Sequence, residues 1–413
     1  MRLIHVNWQY IFLNLHLVTL SWSAVARVSD WTPLPLLFLG LAVFSIVIRI
    51  LLDVGFARPV SVKTYKVDCL IVVAFVLMCF NVLYNPTAKS GNYLLAYGVV
   101  FGIYLFYSAV GLGNISTNEL LKYNYYGVNF ICLFVILEVI GRSALGFNIF
   151  EWIPRTKEAT ALVAVGFFRG YGLSTEPTQV GNYFVCFFPY AIFYRLNIAC
   201  KGFRIYSIFL FLPALLTFSA ALILVAIGGI LFFFVFTNQK LSMIKSSLFL
   251  GIALVIIFAL FIYVTGIGDI LYGVYDKVSS KLLLTSEGTS VRQRMGALES
   301  GIATIQSYPF FGKGLGYMSS LGQDSSINWY VFLGAEAGLI ILGLFIIWFV
   351  YHLFSAVLNY SRTRNNIYLY AAASISCGLV YLMFVSTFQN MFLLTSILLF
   401  RVIQRNLTYS KGL

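Results

Sequence analysis

Charge is what this sequence has least of: Asp, Glu, Lys and Arg together make up 10% of its 413 residues. Soluble domains carry about 25%. With 60% hydrophobic residues and a mean hydropathy of +0.90, too little polar surface remains to cover a water-soluble core. Lipid has to be the solvent. Histidine is almost missing, with only His5, His16 and His352. The 6 cysteines (69, 79, 132, 186, 200 and 377) all fall in or at the edge of apolar runs, which excludes a disulfide framework in the connecting loops.

What is abundant is the apolar run. A span takes roughly 20 mostly apolar residues, and such runs lie near 8–28, 33–52, 68–85, 93–112, 125–145, 181–199, 205–219, 220–237, 247–265, 329–354, 367–386 and 388–404. The pattern predicts an all-α fold: one polytopic transmembrane helical bundle over 1–413, with about twelve spans. The stretch 205–237 also reads as one kinked segment. The runs are continuous rather than alternating, so a membrane barrel is excluded.

The formal net charge of +13 is not a nucleic-acid footprint, because it is one-sided. In the twelve-span reading most cations, among them Arg49, Arg58, Lys63, Lys66, Arg362, Arg364, Arg401 and Arg405, share one side with only Asp53, Asp68 and Glu119. That is the positive-inside pattern, and it predicts both termini in the cytoplasm. Ala24-Val25-Ala26 mimics a signal-peptide cleavage site, but the apolar region is too long, and its loss would invert the asymmetry.

Two connections are long, 146–180 and 266–328, and both fall outside. Long loops in a compact fold are often functional. In the second, Met295, Leu298, Ile302 and Ile305 recur at helical spacing, predicting an interfacial helix over 290–308. Pro309 stops it, and Gly312-Lys-Gly-Leu-Gly316 turns the chain toward the next span. Those glycines serve either as a hinge or as a close backbone approach to a ligand. A nucleotide loop is excluded, since the cluster follows a helix rather than a strand. In the first loop, Ser174 or Thr175 is the expected N-cap of a helix with Glu176 and Pro177 in its first turn. Arg169 just ahead of that N-terminus makes an anion cradle, or else it pairs with Glu176 or a lipid phosphate. Glu138 and Glu336 lie inside spans, where ionisable groups are costly; Glu138 has Arg142 one turn away.

The order of these motifs resembles the bacterial O-antigen ligase and polymerase superfamily. Arg294 lies ahead of Pro309, the turn Gly312, Gly314 and Gly316 follows, and Asn328 leads into a span with Glu336-Ala-Gly338-Leu339. Arg169, Gly172, Glu176 and Pro177 are similar to the family's first loop. The resemblance covers roughly 90 residues. The family's ligase branch carries a His before the Asn to activate the acceptor; Ile327 stands here, which favours the polymerase branch over a ligase. A flippase or other transporter is the rival class, but no paired internal repeat is visible.

The resemblance implies two long periplasmic loops carrying short helices, in the bacterial cytoplasmic (inner) membrane. It implies as partners oligosaccharide repeat units carried on undecaprenyl pyrophosphate, together with membrane lipids and a chain-length regulator protein. Displacing a diphosphate from an anomeric carbon needs fixed cations more than a proton donor, and guanidinium suits phosphate best. The expected catalytic residues are therefore Arg169, Arg292 and Arg294, converging on one diphosphate. Glu176 is the expected base, ahead of Asp324 and Glu287. Lys313, Gly314, Gly316, Tyr317, Asn328 and Tyr171 are the expected substrate-binding set. Aromatic residues such as Trp152, Phe167, Phe168 and Trp329 either stack on sugars or anchor at the interface. The loops lack His and Cys, and no acidic pair has ligand spacing, so neither metal nor cofactor is expected.

Overall fold

A computed structural model describes residues 8–22, 25, 34–55, 65–110, 116–148, 151–153, 163–164, 167–174, 176–199, 209, 212–213, 216–217, 289–322, 328–385 and 392–409. Among them the fold is helical apart from one two-residue ladder. The elements are α1 (Trp8–Thr19), α2 (Leu34–Gly55), α3 (Cys69–Tyr84), α4 (Ser90–Val110), α5 (Thr117–Ile140), β1 (Val163–Ala164), β2 (Phe167–Phe168), α6 (Pro177–Phe193), α7 (Thr289–Ser307), α8 (Tyr317–Ser320), α9 (Trp329–Ala337), α10 (Leu339–Thr363), α11 (Asn366–Tyr381) and α12 (Phe392–Tyr409). A 3-10 turn, Lys66–Asp68, leads into α3.

Five described segments are long and apolar enough to cross a membrane: Leu34–Gly55, Lys66–Tyr84, Ser90–Val110, Thr117–Ser143 and Leu339–Thr363. Their exposed faces carry large apolar side chains, such as Phe44, Leu51, Val72, Phe80, Ile347 and Phe354. Apolar residues turned outward along whole helices, with Asn, Tyr and Glu turned inward, reverse the soluble pattern. The chain is a helical membrane protein.

The chain divides into two compact units. The first holds 1–13, 38–120 and 288–413; the second holds 14–37 and 121–287. In the first unit α10 packs on α11 and α3, α4 lies against α3 and α12, and α7 lies against α9. Its core is aromatic: Phe101, Trp329, Phe345, Trp348 and Phe349 are all 2% exposed or less. In the second unit α6 is buried on most of its circumference, including Val180, Asn182, Tyr183, Cys186, Phe187 and Tyr190. Helix α5 passes close by: Asn124 Nδ2 donates to the Phe187 carbonyl at 3.1 Å. A Cβ at Gly127 would stand 2.7 Å from the Leu17 carbonyl oxygen.

Several expectations change here. The run 329–354 is two helices, because Gly338, at φ 90° and ψ 165°, breaks it between α9 and α10. Continuous hydrophobicity hid the break. The described part of the first long loop carries the ladder Val163↔Phe168 and Ala164↔Phe167. A helix is present where one is expected at 290–308, as Thr289–Ser307. The spans expected at 220–237 and 247–265, and nearly all of 205–219, lie outside the described residues.

Candidate functional site

The glycine turn of the second loop is neither a hinge nor open. Its amides close on the α9–α10 break: Lys313 N–H donates to the Ala335 carbonyl at 2.9 Å and Gly314 N–H to the Glu336 carbonyl at 3.0 Å. In return, Leu339 N–H donates to the Pro309 carbonyl at 2.8 Å. Gly312, Gly314, Gly316 and Gly338 all sit at positive φ. A Cβ on them would stand 2.4 Å from Glu336 O, 2.2 Å from Asn85 O, 2.9 Å from Lys89 Cβ and 2.1 Å from Phe310 O, respectively. Only glycine permits this approach. The close contact expected for these glycines is thus made with the chain's own backbone, and the space beside Gly314 and Gly316 is already filled.

Buried polar side chains lock the turn from within the bundle. Asn81, in the last turn of α3 and 3% exposed, donates to the Phe311 carbonyl and to Glu336 O, and accepts Leu315 N–H at 3.2 Å. Glu336, 1% exposed, accepts Met318 N–H at 3.0 Å through Oε1. Thr87 and Ser90, where the chain enters α4, both donate to the Leu315 carbonyl. Lys89 Nζ donates to Ser319 Oγ. Buried backbone groups need such partners, and here the partners come from α3, α4 and α9.

Lys313 itself points outward. Its Nζ lies 5.1 Å from the Tyr308 ring centroid and 5.0 Å from that of Tyr317. A cation held between two aromatic faces suits a polyhydroxylated or anionic ligand. Asn328 caps α9, its side-chain oxygen accepting Tyr330 N–H at 3.0 Å and Val331 N–H at 3.3 Å.

In the second unit the segment Arg169–Ser174 dips into the bundle, with Tyr171, Leu173 and Ser174 each 2% exposed or less. One oxygen of Glu138 accepts the Tyr171 and Gly172 amides at 2.9 and 2.8 Å. Its other oxygen is 3.7 Å from Arg142 Nε, the pairing read from sequence. Ser174 Oγ donates to the Ser21 carbonyl at 2.8 Å. Gly170 and Gly172 let the loop press on α5: a Cβ would meet Val135 Cγ1 at 2.7 Å and Ile131 Cδ1 at 2.8 Å. Arg169 Nε donates to the Thr217 carbonyl at 3.0 Å, beside a backbone bond from Gly170 to Leu216. The cap of α6 is Glu176, not Ser174 or Thr175, because Ser174 is drawn inward by Ser21. Glu176 stays exposed and accepts Thr178 Oγ1 at 3.0 Å.

Of the expected site residues, Lys313, Gly314, Gly316 and Tyr317 share one turn, which abuts the helix that Asn328 caps. Arg169, Tyr171 and Glu176 share the other unit. Arg292 and Arg294 lie in the first turns of α7, and their side chains fall outside what is described, as do Glu287 and Asp324. At 1.5 Å per residue, about 20 Å of helix separates Arg294 from the turn that carries Lys313. His16 and His352 are buried within α1 and α10. Among the described residues no three His, Cys, Asp or Glu side chains cluster as metal ligands. Sequence reading missed Asn81 and the Glu138 clamp. An Asn inside an apolar run is a visible signal, but its partner lies 234 positions away. No protein-family model matches the chain, and no curated protein matches it.

Proposed function

We propose that this protein is a surface-polysaccharide polymerase of about twelve spans. It transfers a growing glycan from undecaprenyl pyrophosphate to the next lipid-linked repeat unit at the periplasmic face. The observation that carries the reading is the motif series from Arg294 through Pro309, the glycine turn, Asn328 and Glu336-Ala-Gly338. In the fold the glycine turn after Pro309 and the Glu336-Ala-Gly338 junction interlock, held by Asn81 at the end of α3 and Glu336 in α9.

In the proposed step the acceptor hydroxyl oxygen bonds to the anomeric carbon, and the bond from that carbon to the diphosphate oxygen breaks. The bond electrons leave with the diphosphate, whose charge Arg169, Arg292 and Arg294 stabilise. The acceptor proton passes to Glu176, which is solvent-exposed and so able to release it. Lys313, about 20 Å of helix from Arg294, takes a different task. With Tyr308 and Tyr317 it holds the glycan rather than the leaving group.

The deciding experiment is extension of purified lipid-linked repeats by the purified protein in detergent. Products longer by whole repeats support the polymerase. No extension, with movement of the lipid-linked repeat across a vesicle membrane, would assign a transporter. In a strain lacking the gene, lipopolysaccharide carrying a single repeat supports the polymerase, whereas bare core assigns a ligase.

A further inference from the structure

Two membrane-crossing segments meet the segment Pro309–Gly312. One ends at Tyr84 and the other begins at Leu339. Leu339 N–H donates to the Pro309 carbonyl at 2.8 Å, and Asn81 donates to the Phe311 carbonyl. Asn81 lies three residues before Tyr84, about 4.5 Å along the helix axis. The backbone of Phe311 is therefore bonded to a residue inside the end of the α3 span. Non-helical chain at that depth is tolerated only where protein satisfies its polar groups. This segment meets the condition. Besides those two bonds, Gly312 N–H donates to the Tyr308 carbonyl at 3.1 Å, and the Phe310 carbonyl lies so close to Gly338 that a Cβ there would stand 2.1 Å from it.

The main chain faces the protein, but the rings do not. Phe310 and Phe311, with Leu83 and Tyr84 at the end of α3 and Leu339 and Ile340 at the start of α10, are each at least 41% exposed. The outward apolar surface of both spans thus continues onto the turn. What covers the two rings follows from their chemistry. Phenylalanine has no polar atom to offer a glycan hydroxyl, unlike Tyr308 and Tyr317 beside Lys313. The spans whose surface it extends face lipid. The order along the chain also fits a bilayer edge: bare rings first, then an ammonium between two tyrosines, as at a hydrocarbon–headgroup boundary.

We propose that Phe310 and Phe311 form a membrane wedge, inserted among the acyl chains of the phospholipid leaflet at this end of α3 and α10. The loop before the glycine turn is then a lipid-contacting surface rather than a solvent-facing one. Its insertion holds Lys313, two residues further on, at headgroup depth. Rigidity makes the placement specific, because the wedge is fixed to two spans through its backbone and leaves only its rings to the lipid.

Photo-cross-linking of the full-length protein in phosphatidylethanolamine–phosphatidylglycerol liposomes tests this. The photoreactive residue p-benzoylphenylalanine replaces Phe310 or Phe311, and mass spectrometry counts phospholipid adducts. Ile347, on the outward face of α10, is the lipid-facing control position, and the exposed charged residue Glu299 on α7 is the water-facing one. Both wedge positions should give adduct yields close to that at Ile347. They should exceed the yield at Glu299 about tenfold, the preference set by burying one aromatic ring in hydrocarbon. Yields no higher than at Glu299 overturn the proposal. Protein–protein adducts in place of lipid adducts assign the surface to a second copy of the chain and overturn it too. Hydroxyl-radical footprinting of the unmodified protein in the same liposomes needs no substitution: Tyr308 should be oxidised and both phenylalanines spared. Oxidation of Phe310 and Phe311 to the extent of Tyr308 overturns the wedge.

Discussion

The Glu138 carboxylate and the Gly172 amide meet inside the bundle at 2.8 Å, and the same oxygen takes the Tyr171 amide. A charged side chain at 1% exposure is therefore spent on the backbone of a loop. It fixes the only described stretch that carries Arg169. Replacing it by Leu strands two buried amides at about 1–3 kcal/mol each, and removes the carboxylate beside Arg142, whose Nε keeps its bond to Asn148 Oδ1. Glu138→Gln keeps one acceptor oxygen and should cost less than half as much. Thermal unfolding in detergent ranks the three proteins, and trypsin cleavage after Arg169 should rise in the order wild type, Gln, Leu. A Leu variant as stable and as protease-resistant as wild type would remove the clamp from consideration.

The glycines divide by what surrounds them. Gly338→Ala and Gly314→Ala each place a Cβ within 2.2 Å of a backbone oxygen, in a conformation that costs an L residue about 1–2 kcal/mol by itself. Neither oxygen can move without breaking the α9–α10 junction or the entry to α4. Both variants should give little monodisperse protein. Gly296→Ala on α7 meets nothing within 4 Å and should stabilise by up to about 1 kcal/mol. Fluorescence-detected size exclusion separates the outcomes, and a well-behaved Gly338→Ala protein contradicts the interlock.

How much of this the sequence carried depends on the range of the interactions. Hydrophobic runs announced α2, α3, α4 and α5, and helical spacing announced α7, because both signals are local. The split at Gly338 was invisible in the run 329–354, since its cause is the carbonyl of Phe310 pressing from another segment. The same holds for the α6 cap. Ser174 is the better capping residue in isolation, yet the Ser21 carbonyl, 153 positions away, claims its hydroxyl. Glu336 stood out as an ionisable group within a span, but its acceptance of Met318 N–H follows only once the turn has folded back. Local chemistry was legible, and tertiary hydrogen bonding was not.

If Arg169, Arg292 and Arg294 neutralise a leaving diphosphate, charge and fork geometry should both count. Each Arg→Ala variant should keep its expression level and lose chain extension by about 10²-fold or more, the order seen when one preorganised donor is removed. Arg→Lys should recover only part of it, because ammonium cannot bind phosphate in bidentate fashion. Polysaccharide ladders from cells carrying each variant read this directly. Three wild-type ladders would sink the assignment. Arg169 carries an added expectation: its Nε holds the Thr217 carbonyl, so Arg169→Lys should also loosen that contact.

Lys313 tests whether the glycine turn serves the glycan or the leaving group. Its ammonium stands about 5 Å from two tyrosine rings, 5.1 Å for Tyr308 and 5.0 Å for Tyr317. The side chain is exposed, so its loss should barely affect folding; exposed cation–π contacts contribute roughly 0.5–1 kcal/mol. Lys313→Ala should raise KM for the lipid-linked repeat several-fold and leave kcat within about twofold, as expected when binding equal in ground and transition states is removed. Tyr308→Ala and Tyr317→Ala should do the same, because the aromatic walls act with the cation. Lys313→Arg should keep KM near wild type. A fall in kcat of about 10²-fold with KM unchanged would instead place Lys313 at the diphosphate. That result is hard to reconcile with the length of α7 standing between it and Arg294.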